Sequence, residues 1–422
     1  MELVQDMHDA VKEMIALERA LSRPPDTACG RTLRYSTELK TYPGFTQGNK
    51  KWSLLRECIT REMWDKYEDE VDSSGFSFKS AIFPGCQNED AEVGVYAGSE
   101  DSYNAFSDLM YMIIRFYHRT DLSINHISCF DIKQLQLPTF TKEESRYIVH
   151  SEIRMNRNFA GVPFGPQIKL RERVDIMKRV KNACKAMQGE LQGKFHAHST
   201  ISEEKKRQLE EDDLIFDEGD RLRASGGFNR DWPEGRAIYH NNMKTLLVWV
   251  NEEDHVRIIS MQKGHDIKAI FARLCAASDA IEKENKYAYD EKLGYLTSCP
   301  SLLGTGLTAT IQLNLPVLGD HMEEMWKIAN KYGLNIRFIP SLDETKTSTL
   351  FDISTRRTLG ITEVDLLQIL MNGVKDMILR ERQLGAGSQM LFDEEMKEIR
   401  VEQVDMVSGR TPQFDAEDVV SF

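Results

Sequence analysis

Cationic excess is the first thing this sequence lacks: 54 Lys and Arg stand against 67 Asp and Glu, a formal net charge of −13. Nucleic acids and anionic membranes are polyanions that bind through a basic surface, so no nucleic acid and no membrane is expected as a partner. No apolar run approaches the roughly 20 residues that a membrane span requires. The longest candidates are short stretches such as Leu246–Val250. The opening MELVQDMH has neither a secretory signal nor the Gly that N-myristoylation needs. The seven cysteines (Cys29, Cys58, Cys86, Cys129, Cys184, Cys275 and Cys299) are odd in number and form no CxxC pair, the pattern of reduced thiols. The expected location is therefore cytoplasmic. The common phosphate cradles are also missing: there is no GxxxxGK(S/T) loop and no HRD or DFG set. Gly304-Thr305-Gly306 is a bare GxG and alone identifies nothing.

What is present suits a globular chain of two domains with an appendage: 422 residues, 41% hydrophobic and 29% charged. Val4, Met7, Val11, Met14 and Ile15 keep helical spacing and predict a helix over Val4–Leu21, stopped by Pro24 and Pro25. Further helices are expected over Thr60–Val71 and over Ser99–Tyr117, where Tyr103, Phe106, Leu109, Met110, Ile113 and Ile114 form a stripe. Residues 1–125 thus read as a helical domain, and 126–145, with Pro138 and a charged cluster, as a linker. In 146–385, strand-like runs (Tyr147–Arg154, Thr245–Val250, Arg257–Met261, Thr308–Leu315 and Leu334–Ile339) alternate with helical ones (Leu170–Met187, Asp266–Lys283 and Glu363–Arg380). The alternation alone reads as an α/β domain. The last segment, 386–422, has nine acids against three bases, a net charge of −6. It reads as a disordered acidic tail or as a segment that docks on a protein partner.

Several local patterns carry chemistry. In LLVWVNEEDHVRIISM, Leu246–Met261, a buried-strand pattern runs into Glu252, Glu253, Asp254 and His255 and resumes with Arg257. Acids at a strand end beside a cation can bind a cationic substrate and take its proton. On spacing alone a solvated turn is the favoured reading. His196 and His198 form an HxH with no third ligand marked, so they read as neighbouring surface histidines and no metal site is expected. The mixed-sign run Glu203–Glu211 reads as a solvated helix face.

Longer segments give a resemblance. YHNNMKTLLVWVNEEDHVRIISMQKG and CPSLLGTGL (Cys299–Leu307) closely resemble the phosphagen (guanidino) kinase family, in wording most like the arginine kinases. So do VGVYAGSEDSY (Val93–Tyr103), DEGDRLRASGGFNRDWPEGRAIYHN (Asp217–Asn241) and FDISTRRTLGITE (Phe351–Glu363). The resemblance implies an α+β fold: a small all-helical N-terminal domain, then a larger one with an antiparallel, glutamine-synthetase-like sheet flanked by helices. It implies reversible transfer of the γ-phosphoryl of Mg-ATP to a guanidino small molecule such as arginine, a reaction governed by positioning and charge stabilisation. It assigns Glu253 as the acid that orients and deprotonates the guanidinium, Cys299 as the thiol beside it and Tyr96 as a substrate contact. Ser301 is expected to help make Cys299 the most readily alkylated cysteine. A homodimer is compatible with the resemblance. By analogy with the family's motile and energy-demanding settings, so is a place in a flagellar, contractile or cytoskeletal assembly.

The family's phosphate clamp is only partly matched. Five arginines hold the phosphates in the family, because the planar guanidinium makes charge-assisted, often bidentate bonds to them. HSEIRMNR, His150–Arg157, keeps Arg154 but places Glu152 where the first clamp arginine belongs and Asn156 at the motif glycine. Arg257 keeps the third. Thr308 stands at the fourth, Gln312 at a nucleotide-contacting histidine, Pro340 at the fifth arginine and Thr345 at a substrate-contacting glutamate. Arg337 and Glu344 are the neighbours that could replace the last two. The expectation is a phosphagen-kinase relative with weakened or lost catalysis and a binding or structural role. The alternative is a working arginine kinase-like phosphotransferase, for which Mg-ATP or Mg-ADP is the cofactor.

Overall fold

The structure is a computed structural model that describes residues 39–43, 53–88, 90–120, 122–340 and 349–407, with side chains up to residue 386. The helix expected over Val4–Leu21, together with Thr345 and Glu344, lies outside these residues.

The first part is helical, with short helices set by polar caps. Ser53 starts α1 (Leu54–Cys58), and Thr60 starts α2 (Arg61–Tyr67) by accepting a hydrogen bond from the Met63 N–H. Ser77 does the same for α3 (Phe78–Gln87), and α4 (Ser102–Ala105) and α5 (Ser107–His118) follow. The stripe expected over Ser99–Tyr117 is therefore two helices, broken where Phe106 leaves helical geometry at φ −113° and ψ 36°. Leu109, Met110, Ile113 and Ile114 turn the buried face of α5 toward Leu55, Trp64 and Phe78.

The larger part is a sheet of eight strands in the order Gly193–Ala197, Ala237–Asn241, Leu246–Val250, Val256–Lys263, Ile148–Arg157, Leu307–Asn314, Leu350–Thr355 and Leu334–Ile339, every pairing antiparallel. The elements in chain order are β1 (Ile148–Arg157), α6 (Leu170–Ala186), β2 (Gly193–Ala197), α7 (Glu203–Glu211), α8 (Arg221–Ser225), β3 (Ala237–Asn241), β4 (Leu246–Val250), β5 (Val256–Lys263) and α9 (Ile267–Glu282). A two-stranded hairpin of β6 (Tyr289–Asp290) and β7 (Gly294–Tyr295) precedes β8 (Leu307–Asn314), α10 (Met322–Tyr332), β9 (Leu334–Ile339), β10 (Leu350–Thr355) and α11 (Glu363–Val407). The fold is thus α+β, as the resemblance implies, and not the α/β arrangement that the alternation of runs suggests. Parallel strands need crossover connections, whereas β3–β4 and β4–β5 are joined by short turns.

Period-two alternation divides the sheet into two faces. Leu307, Ala309, Ile311 and Leu313 of β8, with Ile153 and Met155 of β1 and Ile353 of β10, enter a core shared with Ile176, Phe271 and Leu367 of the helices. Glu152, Arg154, Thr308, Thr310, Gln312 and Asp352 line the opposite, open face. The last helix is tied to the chain between the domains: buried Glu363 accepts the Cys129 N–H at 2.7 Å, and Lys375 meets Glu144 at 2.7 Å. α7 bears out the expected solvated helix, burying only Leu209.

His196 and His198 are half-buried rather than freely exposed. β2 is an edge strand that lays the His196 ring on His240 with centroids 5.5 Å apart, while His198 packs against Phe216 and Trp232.

Candidate active site

The turn between β4 and β5 is buried rather than solvated, and its anchors explain why. Asn251 takes φ 57°, a conformation that Asn tolerates better than most residues, and its amide donates to the Arg173 and Gly235 carbonyls at 2.9 and 2.7 Å. Asp254 accepts from the Asn156 and Asn158 amides and from the Ser298 N–H, at 2.9, 2.7 and 2.7 Å. His255 accepts the Phe159 N–H on Nδ1 and donates from Nε2 to the Pro163 carbonyl, both at 2.9 Å. Burial holds this imidazole neutral, with its pKa down to about 3. With Asp254 and His255 spent on anchoring, Glu252 and Glu253 are the acids left to pair with cations.

Two arginines meet them there. Arg223 of α8 places Nη1 2.6 Å from Glu252 Oε1 and Nη2 3.4 Å from Glu253 Oε2. Arg257 of β5 places Nη1 3.0 Å from Glu252 Oε2, an ion-pair contact without hydrogen-bond alignment, and Nη2 3.4 Å from Glu253 Oε2. Burial raises the Glu253 pKa, and the two guanidinium groups pull it back. Burial works against the charge of Arg223, but Glu252 and Glu253 outweigh it and raise its pKa. Two acids and two bases form a neutral quartet.

Tyr96 and Cys299 complete this corner. Tyr96 lies in the segment after α3, its ring edge-on to Phe228 at 4.8 Å, and its phenol pKa is raised by burial and then by Glu253 and Cys299. The Ala97 N–H donates to the Ser298 carbonyl at 2.8 Å, which joins this segment to the Cys299 loop. Cys299 Sγ lies 3.0 Å from Ser301 Oγ, as the motif suggests, yet the thiol is buried and pushed up to about 12, by burial first and Glu253 second. Burial and the Glu253 carboxylate thus work against the reactivity expected of Cys299, and Ser301 helps the thiolate by less than they oppose it. The loop shape depends on Gly304, at φ 89°, where a Cβ would come within 2.4 Å of the Thr358 carbonyl oxygen.

Glu152, Arg154, Thr308, Gln312 and Arg337 sit on the open sheet face, around a cavity of about 720 Å³. Arg154 pairs in register with Thr308, Glu152 with Thr310, and Gln312 with both His150 and Asp352. Arg154 is ion-paired to Glu152 of its own strand, and Arg337 to Asp352 at 2.5 Å. Gln312 Nε2 donates to Asp352 at 3.4 Å. The structure brings Tyr96, Glu253, Cys299 and Arg257, all read from the sequence, to one corner and Arg154 to the adjoining sheet face. Sequence reading missed Arg223, whose partners lie about thirty residues away and leave no local signal.

Comparison with known proteins identifies the family. The C-terminal catalytic domain of the ATP:guanido phosphotransferases matches residues 175–384, and their N-terminal domain matches residues 49–115. The chain belongs to this family, the phosphagen kinases. It is 34% identical to an arginine kinase of Penaeus vannamei over 79% of this chain and 93% of that protein. It is also 34% identical to an arginine kinase of Anthopleura japonica over 90% of this chain, spanning 52% of that longer relative. Among solved structures it resembles lombricine kinase, with a TM-score of 0.73 and 30% identity over 80% of this chain and 94% of that one. It also resembles the substrate-free duplicated taurocyamine kinase of Schistosoma mansoni, with a TM-score of 0.73 and 28% identity over 84% of this chain and 49% of that one.

Proposed function

We propose that this phosphagen kinase relative retains a guanidino-binding corner, formed by Tyr96, Glu253 and Cys299, beside a nucleotide face too poor in free cations for ordinary turnover. Its role is then binding, or a structural place in an assembly, with the acidic segment 386–422 as the candidate contact. The observation that carries this reading is that each retained clamp arginine is already neutralised within the chain, Arg154 by Glu152 and Arg257 by Glu252 and Glu253. A hydrogen bond to a charged group is worth about 1.5–3 kcal/mol, so three missing clamp arginines remove at most about 5–9 kcal/mol of phosphate stabilisation. A tenfold loss of rate needs only about 1.4 kcal/mol. Calorimetry with Mg-ADP tests the reading: a dissociation constant near millimolar or weaker is expected, and one on the order of 10 μM would overturn it.

A second reading, an arginine kinase-like phosphotransferase using Mg-ATP, draws on the retention of Glu253, Cys299 and Arg257 in one corner. A coupled assay with Mg-ATP and a panel of guanidino compounds decides between the two.

A further inference from the structure

We infer that Arg223 is an internal guanidinium that occupies the Glu252–Glu253 carboxylate pair and sets the threshold for any external guanidino compound. The inference rests on the reading of Glu253 as the guanidino-binding acid. Both terminal nitrogens of Arg223 are engaged, one with each carboxylate, at 2.6 and 3.4 Å, the forked contact that a guanidino ligand would make. The charge of Arg223 also acts on the Tyr96 phenol, pulling its pKa down against the larger effect of burial.

Exposure shows which member of the quartet can leave. The side chains of Glu252, Glu253 and Arg257 are 4, 10 and 11% exposed, whereas Arg223 is 31% exposed and reaches in from the solvent side. Arg257 is further held by Asn156, whose side-chain oxygen accepts from its Nε at 3.3 Å. The backbone carrying Arg223 is fixed. Asp220 caps α8 by accepting the Arg223 N–H at 3.0 Å, and Arg221 donates to Asn88 at 2.7 Å. Asn88 in turn donates to Ser225 at 2.9 Å. α8 is thus pinned to the end of α3, and the contact is made by the most exposed side chain of the quartet, carried on an anchored helix.

The consequence is a specificity device. An external guanidinium must displace Arg223, and a site that is competent only a fraction of the time binds its ligand more weakly by that fraction. If Arg223 occupies the pair about nine-tenths of the time, apparent affinity falls about tenfold. Ligands with a second group able to hold the displaced Arg223, such as a carboxylate or phosphate, are favoured over bare guanidines.

Calorimetry of the full chain with L-arginine and with guanidinium chloride tests this in wild type, Arg223→Leu and Arg223→Lys. Leucine is expected to raise affinity for both probes by about tenfold. Lysine keeps the charge and guards against a folding failure, but lacks the planar fork, so a smaller gain is expected. Adding Glu253→Gln should abolish the gain. Equal affinity in wild type and both variants, or a gain that survives Glu253→Gln, would overturn the inference. No binding of either probe by any of these proteins would instead overturn the guanidino-site reading on which the inference rests.

Discussion

Glu152 and Arg154 lie two residues apart on β1, point to the same face of the sheet and form an ion pair there. A carboxylate at this position has two effects on an approaching phosphate. It removes one donor, and it engages the neighbouring guanidinium that would otherwise bind. Register carries the effect across the sheet, because Arg154 faces Thr308 of β8, an uncharged side chain where the family pattern has arginine.

Glu152→Gln should therefore raise Mg-ADP affinity by releasing Arg154, and Glu152→Arg with Thr308→Arg should raise it further. Each restored charge-assisted bond is worth about 1.5–3 kcal/mol, so a gain on the order of tenfold or more is expected for the double variant. Calorimetry at fixed ionic strength measures it. An unchanged affinity would mean that charge at these two positions is not what limits binding.

Asp254 supplies a stability prediction. It is 1% exposed, and its carboxylate accepts three N–H groups that join the β4–β5 turn to β1 and to the Cys299 loop. Asp254→Asn would turn amide hydrogens toward donors and leave buried groups unpaired, a loss of about 2–4 kcal/mol. Urea denaturation should show the drop in midpoint with little change in slope. A difference under about 0.5 kcal/mol would show that the turn is held mainly by Asn251 and His255.

Much of this was legible in the sequence, for identifiable reasons. β9 occupies the expected residues, and β4, β5 and β8 fall within one to two residues at each end, β8 because its alternation reflects one buried face and β4 because LLVWV is a continuous apolar run that is almost wholly buried. β3 escaped notice because all five of its residues, AIYHN, are buried, and the polar His240 and Asn241 hide a strand from any alternation test. β2 is an edge strand of mixed polarity and gives no pattern for a similar reason. The motifs located Glu253 and Cys299. The balance of forces on them depends on Arg223 and on burial, neither of which is written in local spacing.

Histidine titration predicts acid sensitivity. Burial lowers His118 to about 4 and His255 to about 3, so both imidazoles stay neutral in the folded chain while their unfolded counterparts protonate near the usual 6.5. Because the unfolded state binds more protons, stability is fully present above about pH 6.5 and declines as pH falls toward the folded values. Each fully titrating imidazole contributes a slope of about 1.4 kcal/mol per pH unit. Urea midpoints measured from pH 7 to pH 5 should fall steadily. A flat profile in that window, before most carboxylates titrate, would contradict the neutral burial of these two rings.

The last prediction concerns Cys299 and links the thiol to its acid neighbour. The thiolate is the nucleophile, and here it is disfavoured by burial and then by the Glu253 carboxylate, which together push the thiol up to about 12. Cys86, Cys129 and Cys275 are partly exposed, so brief iodoacetamide treatment near neutral pH should modify these before Cys299. Glu253→Gln removes the negative charge but keeps the shape. It should accelerate Cys299 alkylation severalfold relative to Cys86, because the Ser301 hydroxyl 3.0 Å away still supports the thiolate. Peptide mapping by mass spectrometry, with the ratio of Cys299 to Cys86 labelling as the readout, separates this electrostatic effect from general loosening of the fold, which would raise both. A ratio unchanged by the substitution would show that desolvation alone controls the thiol and that Glu253 has little electrical contact with it.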